Sequence, residues 1–340
     1  MEGIDTARVS AWLDDNIVGA SSPYKFELIA GGRSNLTFTV VDANGRRSVL
    51  RRPPLAQVLA TAHDMAREHR IISAVGHTSV PVPSALGLCT DVEVNGAPFY
   101  IMGFVDGVVL DSPERADLVS LALRPRLSEH LFDVLAELHA VDVDEVGLGD
   151  LAKRDGYVER QVKRWSLQWD HSKTRELPAI DEVAARLREH IPVQQGVAIA
   201  HGDFRFGNCL VDVEDGRVNA VLDWELCTLG DPLADLGYLG VYWNDGDEAT
   251  ARANDPTPAG GFGSYADLVQ RYALRTGRDV GGIGYYVAFG CWRLAVISEG
   301  VYSRYVHGAM GDSGGLDVGL FKQGTENLAE RALDAIRQWG

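Results

Sequence analysis

The sequence predicts an α+β chain of two unequal lobes, a small antiparallel sheet followed by a larger, mainly helical part. Three observations predict it. Strand-like runs joined by turn signals crowd the N-terminal third, and apolar residues recur at helical spacing through most of the remainder. The 340 residues also amount to about two domains at roughly 150 residues each. The expected division is 1–104 and 108–340, with a hinge at about 99–107.

Asp5 to Leu13 reads as a short helix, and Tyr24 to Ile29 as a strand after the turn-rich Ser21-Ser22-Pro23. Leu36 to Val41 is β-branched and aromatic, and Asn44-Gly45 supplies a hairpin turn before Ser48 to Arg51. From Gln57 to Val75 the residues Val58, Leu59, Ala62, Met65, Ala66 and Ile72 follow helical spacing. Two further strands are expected to flank Asn95-Gly96, the second being Pro98 to Phe104, and Val105-Asp106-Gly107 reads as the break between lobes. Beyond it, Leu131, Val134, Leu135 and Leu138 form an apolar helical stripe. Ala184 to His190, Tyr265 to Thr276, Tyr285 to Tyr305 and Phe321 to Gln338 carry others. One β-hairpin, Cys209 to Asp223, interrupts them, and the Asp-, Gly- and Pro-rich 245–263 reads as a surface loop.

Composition narrows the function. Asp and Glu outnumber Lys and Arg by 48 to 32, a net charge of −16 that repels nucleic-acid backbones, so no nucleic-acid partner is expected. Hydrophobic residues at 46% permit a full core. Cys89, Cys209, Cys227 and Cys291 form no C-x-x-C pair, which leaves no thiolate zinc or redox site and suits a reducing cytoplasm. The acidic, amphipathic N-terminus lacks the features of a signal peptide, so the mature chain is expected to start there and to be cytoplasmic. No run approaches about 18 apolar residues, so integral membrane association is not expected.

The most informative segment is HGDFRFGNCLVDVEDGRVNAVLDWE, residues 201–225. If Asp215-Gly216 is a two-residue turn, Cys209 faces Leu222, Val211 faces Ala220 and Val213 faces Val218, a wholly apolar face. Asn208 is then expected opposite Asp223, at the cross-strand Cβ spacing of about 4.5–5.5 Å. An amide oxygen and a carboxylate so placed suit Mg²⁺, which completes its shell with water and nucleotide phosphates. Asp203, on the loop before the strand, is placed to take a proton from a substrate hydroxyl, and Arg205 offers a fixed positive charge. The plainer reading makes Asp203 a turn former and Asn208 and Asp223 strand ends. Four polar residues of the right types at one hairpin mouth outweigh it.

H-G-D-F-R-F-G-N followed by L-D-W-E resembles the catalytic loop and metal-binding segment of the aminoglycoside phosphotransferase and choline kinase superfamily, relatives of protein kinases. The resemblance implies a two-lobed protein-kinase-like fold, Asp203 as catalytic base, Asn208 and Asp223 as Mg²⁺ ligands, and Arg205 near the transferred phosphoryl group. It also implies ATP or GTP as donor, a small-molecule hydroxyl as acceptor, and a catalytic loop held by His201 and Asp235.

The N-terminal lobe fits that frame. Gly31, Gly32, Ser34 and Asn35, between two strands, offer backbone N–H groups and polar side chains to phosphates, although two glycines alone more often mark a turn. Arg51 and Glu68 mirror the cation–carboxylate pair that positions nucleotide phosphates in kinase-like folds. Arginine stands where many relatives carry lysine, and alternation selects Arg51 over Arg52 because Val49 and Arg51 share a strand face. Phe99 to Phe104 resembles the hinge strand that binds a purine through its backbone, with Met102 to Phe104 as contacts. Residues 160–178 and 292–305 look like the subgroup whose kinase domains are also fused to acyl-CoA dehydrogenase domains, which hints at a hydroxyacyl acceptor. Trp165, Trp169, Tyr286, Arg293, Glu299 and Tyr302 are candidates for the acceptor site, with packing the nearer reading.

Other classes fare worse. Gly311-Asp312-Ser313-Gly314-Gly315 matches the G-x-S-x-G nucleophile elbow, but neither the strand before nor the helix after is expected there. No G-x-x-x-x-G-K-[ST] occurs, which excludes Walker-type NTPases. A pseudokinase is suggested by Arg51 alone and opposed by Asp203, Asn208 and Asp223 together. A protein kinase is opposed by the missing D-F-G and A-P-E and by the helical insertion at 150–190.

Overall fold

The computed structural model describes residues 2–29, 35–55, 64–246, 252–308 and 317–339. The N-terminal part begins with α1 (Thr6–Asn16), whose first turn is capped by the Asp5 carboxylate on the Arg8 N–H. Five strands follow: β1 (Lys25–Leu28), β2 (Leu36–Val41), β3 (Arg47–Arg52), β4 (Ala85–Cys89) and β5 (Phe99–Gly103). They form one antiparallel sheet of order β1-β2-β3-β5-β4. Asn44-Gly45 turns β2 into β3, with the Asp42 carboxylate receiving the Asn44 and Arg46 N–H groups and Gly45 at φ 79°. α2 (Met65–Val75), capped by Asp64, crosses the sheet. Residues 56–63, the start of the expected 57–75 helix, lie outside the described residues.

Strand alternation sorts the two faces. Phe38, Leu50, Phe99 and Ile101 pack with Val9 and Leu13 of α1 in one buried cluster. Tyr100 packs with Ile71, Ile72 and Val75 of α2 in a second cluster that runs on into the C-terminal core. Arg51 therefore faces α2, while Arg52 turns the other way and donates to the Gly3 and Asn95 carbonyls. Between β4 and β5 lies α3 (Val92–Asn95), ended by Gly96 at φ 69°.

After β6 (Val108–Val109) and the single turn α4 (Pro113–Ala116), the chain is built from α5 (Arg124–Ala140), α6 (Tyr157–Ser172) and α7 (Pro178–Glu189). The strands β7 (Ala198–Ala200), β8 (Cys209–Asp212), β9 (Arg217–Val221) and β10 (Thr228–Gly230) come next. Then follow α8 (Pro232–Val241), α9 (Tyr265–Thr276), α10 (Ile283–Val306) and α11 (Gly319–Trp339). β7 pairs with β10, and β6, β8 and β9 form a three-stranded sheet. α10 carries fully buried Tyr285, Trp292, Ala295 and Val296 through the middle of the core, which is why its apolar pattern runs almost around the helix. No described helix is long and apolar enough to cross a membrane.

The β8–β9 hairpin has a different register from the expected one. Cys209 pairs with Val221, Leu210 with Ala220 and, after a bulge, Val211 with Val218. The cause is Asp212, whose carboxylate accepts the Glu214 and Asp215 N–H groups and closes a loop longer than two residues. Asn208 consequently meets Leu222, whose N–H it accepts at 2.8 Å, instead of lying across from Asp223.

Candidate active site

The loop between β7 and β8 is suspended from a buried carboxylate. Asp235, on α8, accepts the His201 N–H at 2.6 Å, the Gly202 N–H at 2.8 Å and His139 Nε2 at 3.4 Å. Burial pushes the Asp235 carboxyl up, but the hydrogen bond and charge of His139, with the N–H of Gly202, more than offset it and hold it below the usual range. Gly202 stands at φ 85°, and its carbonyl accepts from the buried Arg293 guanidinium.

That suspension fixes Asp203. Its N–H donates to His201 Nδ1 at 3.2 Å, so the imidazole is neutral there and its Nε2–H faces the Leu222 carbonyl at 2.9 Å. Asn208 Nδ2 donates to the Asp203 carbonyl at 2.8 Å and to Oδ2 at 2.7 Å. The other oxygen, Oδ1, is buried without a hydrogen-bond partner. Arg205 Nε lies 3.4 Å from it, close enough for charge attraction but outside good hydrogen-bond geometry. One oxygen of this carboxylate is thus oriented by a hydrogen bond, while the other keeps its lone pairs without a donor.

Asp223 follows the end of β9 at φ 66°, the one non-glycine residue with positive φ among the described residues. Such a conformation costs about 1–3 kcal/mol and collects at functional sites. Its carboxylate accepts Arg51 Nη2 at 2.5 Å, and Arg51 Nε donates to Glu68 at 3.0 Å. Burial opposes the Arg51 charge, yet Glu68, Tyr100, Asp223 and Glu225 together raise its pKa. Burial likewise pushes Glu68 up against the pull of Arg51 and the Tyr100 hydroxyl, which donates to it at 3.1 Å.

The donor set suits a hard cation. Asn208 spends its amide nitrogen on Asp203, which leaves its carbonyl oxygen as the donor for a cation, and Asp223 supplies a carboxylate on the neighbouring turn. Two such oxygens, with water and phosphate completing the shell, match Mg²⁺. Among the described residues, no cluster of three or more His, Cys, Asp or Glu side chains is arranged to hold a metal.

Asn35 sits inside the Arg51 cluster, donating to Glu225 at 3.0 Å and Glu68 at 3.4 Å. Gly31, Gly32 and Ser34, and the elbow serine Ser313, lie outside the described residues. Met102 is held within the sheet, facing Val49 on one side and Ala85 on the other. Phe104 lies just past β5, under the guanidinium of Arg47. Trp169 bonds Asp181, Tyr286 bonds Asp231, and Glu299 anchors Thr174 and Arg175, all as packing. Trp165 bonds Gln161 one turn back on α6, and Tyr302 lies beneath Arg175. Sequence reasoning left Glu225 and Tyr100 unassigned; Glu225 ends the L-D-W-E segment, and Tyr100 lies opposite Arg51 in the sheet.

A model of the phosphotransferase enzyme family matches residues 25–267. Acyl-CoA dehydrogenase family member 10 of Mus musculus is 34% identical over 331 residues, covering 95% of this chain and 30% of that protein. The chain spans less than half the length of the curated relatives it matches. A solved structure from Ralstonia eutropha, provisionally named an aminoglycoside phosphotransferase, has TM-score 0.84 and 33% identity over 98% of both chains. A solved aminoglycoside phosphotransferase in ternary complex with AMP-PNP and hygromycin B shares the fold, with TM-score 0.59 and 17% identity over 98% of both chains. The fold is thus the expected kinase-like one.

Proposed function

The chain belongs to the phosphotransferase enzyme family, and from that premise we propose that it moves the γ-phosphate of ATP or GTP onto a hydroxyl of a small molecule. Asp203 is the base, Arg205 stands beside the transferred group, and Asn208 and Asp223 hold Mg²⁺. Residues 1–104 form the nucleotide lobe and 108–340 the catalytic and acceptor lobe, in a cytoplasmic protein. The observation that carries the reading is Asp203: Asn208 orients one carboxylate oxygen, the His201 ring fixes the backbone, and the second oxygen is buried and unclaimed.

In the proposed step the acceptor hydroxyl gives its proton to Asp203 as its oxygen bonds to the γ-phosphorus. The bond from that phosphorus to the β–γ bridging oxygen breaks, releasing the nucleoside diphosphate. Arg51 binds donor phosphate oxygens, Glu68 holds its guanidinium in place, and the backbone about Met102 and Phe104 receives the purine. Gly31, Gly32, Ser34 and Asn35 are assigned to the phosphates. When bound, Mg²⁺ neutralises charge developing on the phosphate oxygens.

A ternary complex of a fold neighbour with AMP-PNP and hygromycin B supports a nucleotide donor and a small-molecule acceptor. The acyl-CoA dehydrogenase names of the curated relatives support a hydroxyacyl-CoA acceptor over an aminoglycoside-like one. The test is acceptor-stimulated release of ADP or GDP with Mg²⁺, across hydroxyacyl-CoAs, aminoglycosides, choline, homoserine and sugars. Asp203→Ala should lower turnover by about 10²–10⁴-fold, the usual worth of a general base, and leave nucleotide binding in place. Near-wild-type turnover in that variant would refute the assignment.

A further inference from the structure

Two arginines stack on one buried tyrosine beside Asp203. The Arg205 guanidinium carbon lies 4.9 Å from the centre of the Tyr242 ring, and that of Arg252 lies 5.0 Å from the same centre. A third, Arg293, covers Tyr238 at 4.2 Å, and the two tyrosine hydroxyls are 3.5 Å apart. Each of the three guanidinium groups has a buried Nε–H with no hydrogen-bond partner. Arg293 itself is only 6% exposed.

Among the described residues the nearby acids are spent largely on other partners, although Asp255 also lies in the charge field of Arg252. Asp235 is taken by His201, Gly202 and His139, Asp231 by Tyr286 and Leu233, and Asp255 by Thr257. Asp203 is the carboxylate within ion-pair distance of Arg205. In a chain of net charge −16, three guanidinium groups are thus gathered on two adjoining tyrosines beside this loop. Buried donors in native proteins are as a rule satisfied, so orphaned guanidinium N–H groups beside a reactive carboxylate point to a bound anion.

We propose that the acceptor is an anion, with its hydroxyl at Asp203 and its negatively charged group held by Arg252, which shares the Tyr242 ring with Arg205. Arg293 is a positioning residue that fixes Gly202 and adds to the positive field. The inference rests on the phosphotransfer reading and names the acceptor's chemical class. A carboxylate of a hydroxy acid and a phosphate of a hydroxyacyl-CoA share that chemistry.

Matched acceptors test it. Each hydroxy acid is compared with the diol that replaces its carboxylate, and each hydroxyacyl-CoA with the uncharged pantetheine thioester. The charged member should be preferred in kcat/KM by about tenfold to a hundredfold, the usual worth of a charge-assisted contact. Arg252→Gln should collapse that preference, and Arg252→Lys should keep much of it. Preference in the acid–diol pair assigns a carboxylate; preference in the CoA pair assigns a phosphate. Equal turnover of neutral or cationic acceptors would overturn the proposal while leaving the kinase standing. If nothing is phosphorylated, the same acids and CoA esters are titrated into Asp203→Ala protein loaded with Mg²⁺ and AMP-PNP. Binding that Arg252→Gln abolishes would sustain the anion site and count against phosphotransfer, and no binding would end the proposal.

Discussion

Arg51 ties the N-terminal sheet to the turn after β9: one guanidinium donates through Nη2 to Asp223 at 2.5 Å and through Nε to Glu68 at 3.0 Å. The Glu68 side chain is 2% exposed and that of Arg51 13%, so removing the cation strands a carboxylate in a low-dielectric site. Arg51→Met should destabilise the protein by about 3–5 kcal/mol. Arg51→Lys keeps the charge but cannot span both acids with a planar fork, and should cost roughly 1–2 kcal/mol and weaken nucleotide binding several-fold. Urea unfolding and nucleotide titration measure the two effects, and an unchanged midpoint in Arg51→Met would show that the ion pair contributes no net stability.

Gly202→Ala should slow turnover more than it weakens nucleotide binding. The residue stands at φ 85°, and an added Cβ would lie 2.9 Å from the Leu226 carbonyl oxygen and 3.0 Å from the Leu226 Cβ. Relief requires the loop to move, and Asp203 is the next residue. A kcat loss of at least about tenfold with nucleotide Kd within about twofold is expected, because small misplacements of a reacting group are costly. Equal losses in both would indicate general unfolding of the loop.

Asp235→Asn keeps one acceptor oxygen and replaces the other with an amide that donates, so one of the two backbone N–H groups, that of His201 or of Gly202, loses its acceptor. The loss should be about 3–5 kcal/mol, with the sign set by titration. The folded carboxyl titrates below the ordinary range, so its contribution is present above the unfolded value of about 3.9 and disappears as pH falls through the folded value. Acid unfolding of Asp235→Asn should therefore be shallower below about pH 4 than in wild type. Parallel acid limbs would exclude Asp235 as a source of acid sensitivity.

The grouping of Asp203, Arg205 and Asn208 was legible because six consecutive residues carry it and the fold changes only their orientation. The hairpin register was not. Asp215-Gly216 signals a tight turn, but the side chain of Asp212 claims the next N–H groups first, and the pairing slips. Asn35 and Glu225 meet across 190 residues of chain, and Arg252 reaches Tyr242 from a loop without periodicity; neither relation leaves a local pattern. Trp169 and Glu299 occupy helical positions that look alike whether a side chain packs or lines a site. Only their partners Asp181 and Thr174 separate the two.

Asp255 should make stability fall as pH rises from acid to neutral. It is buried, and burial pushes its carboxyl up to about 6 against the opposing hydrogen bonds from Thr257. A carboxyl that binds its proton more tightly folded than unfolded favours folding at low pH. That advantage is lost between the unfolded value of about 3.9 and the folded value. Asp255→Asn cannot ionise, so its stability relative to wild type should be more favourable at pH 7.5 than at pH 4.5, by on the order of 1–3 kcal/mol. The acceptor oxygen lost to Thr257 weakens the variant equally at both values and cancels in the comparison. Urea unfolding at the two pH values decides it: the same variant–wild-type gap at both would mean that Asp255 ionises as an ordinary surface carboxylate, and that its burial is relieved by water reaching the loop.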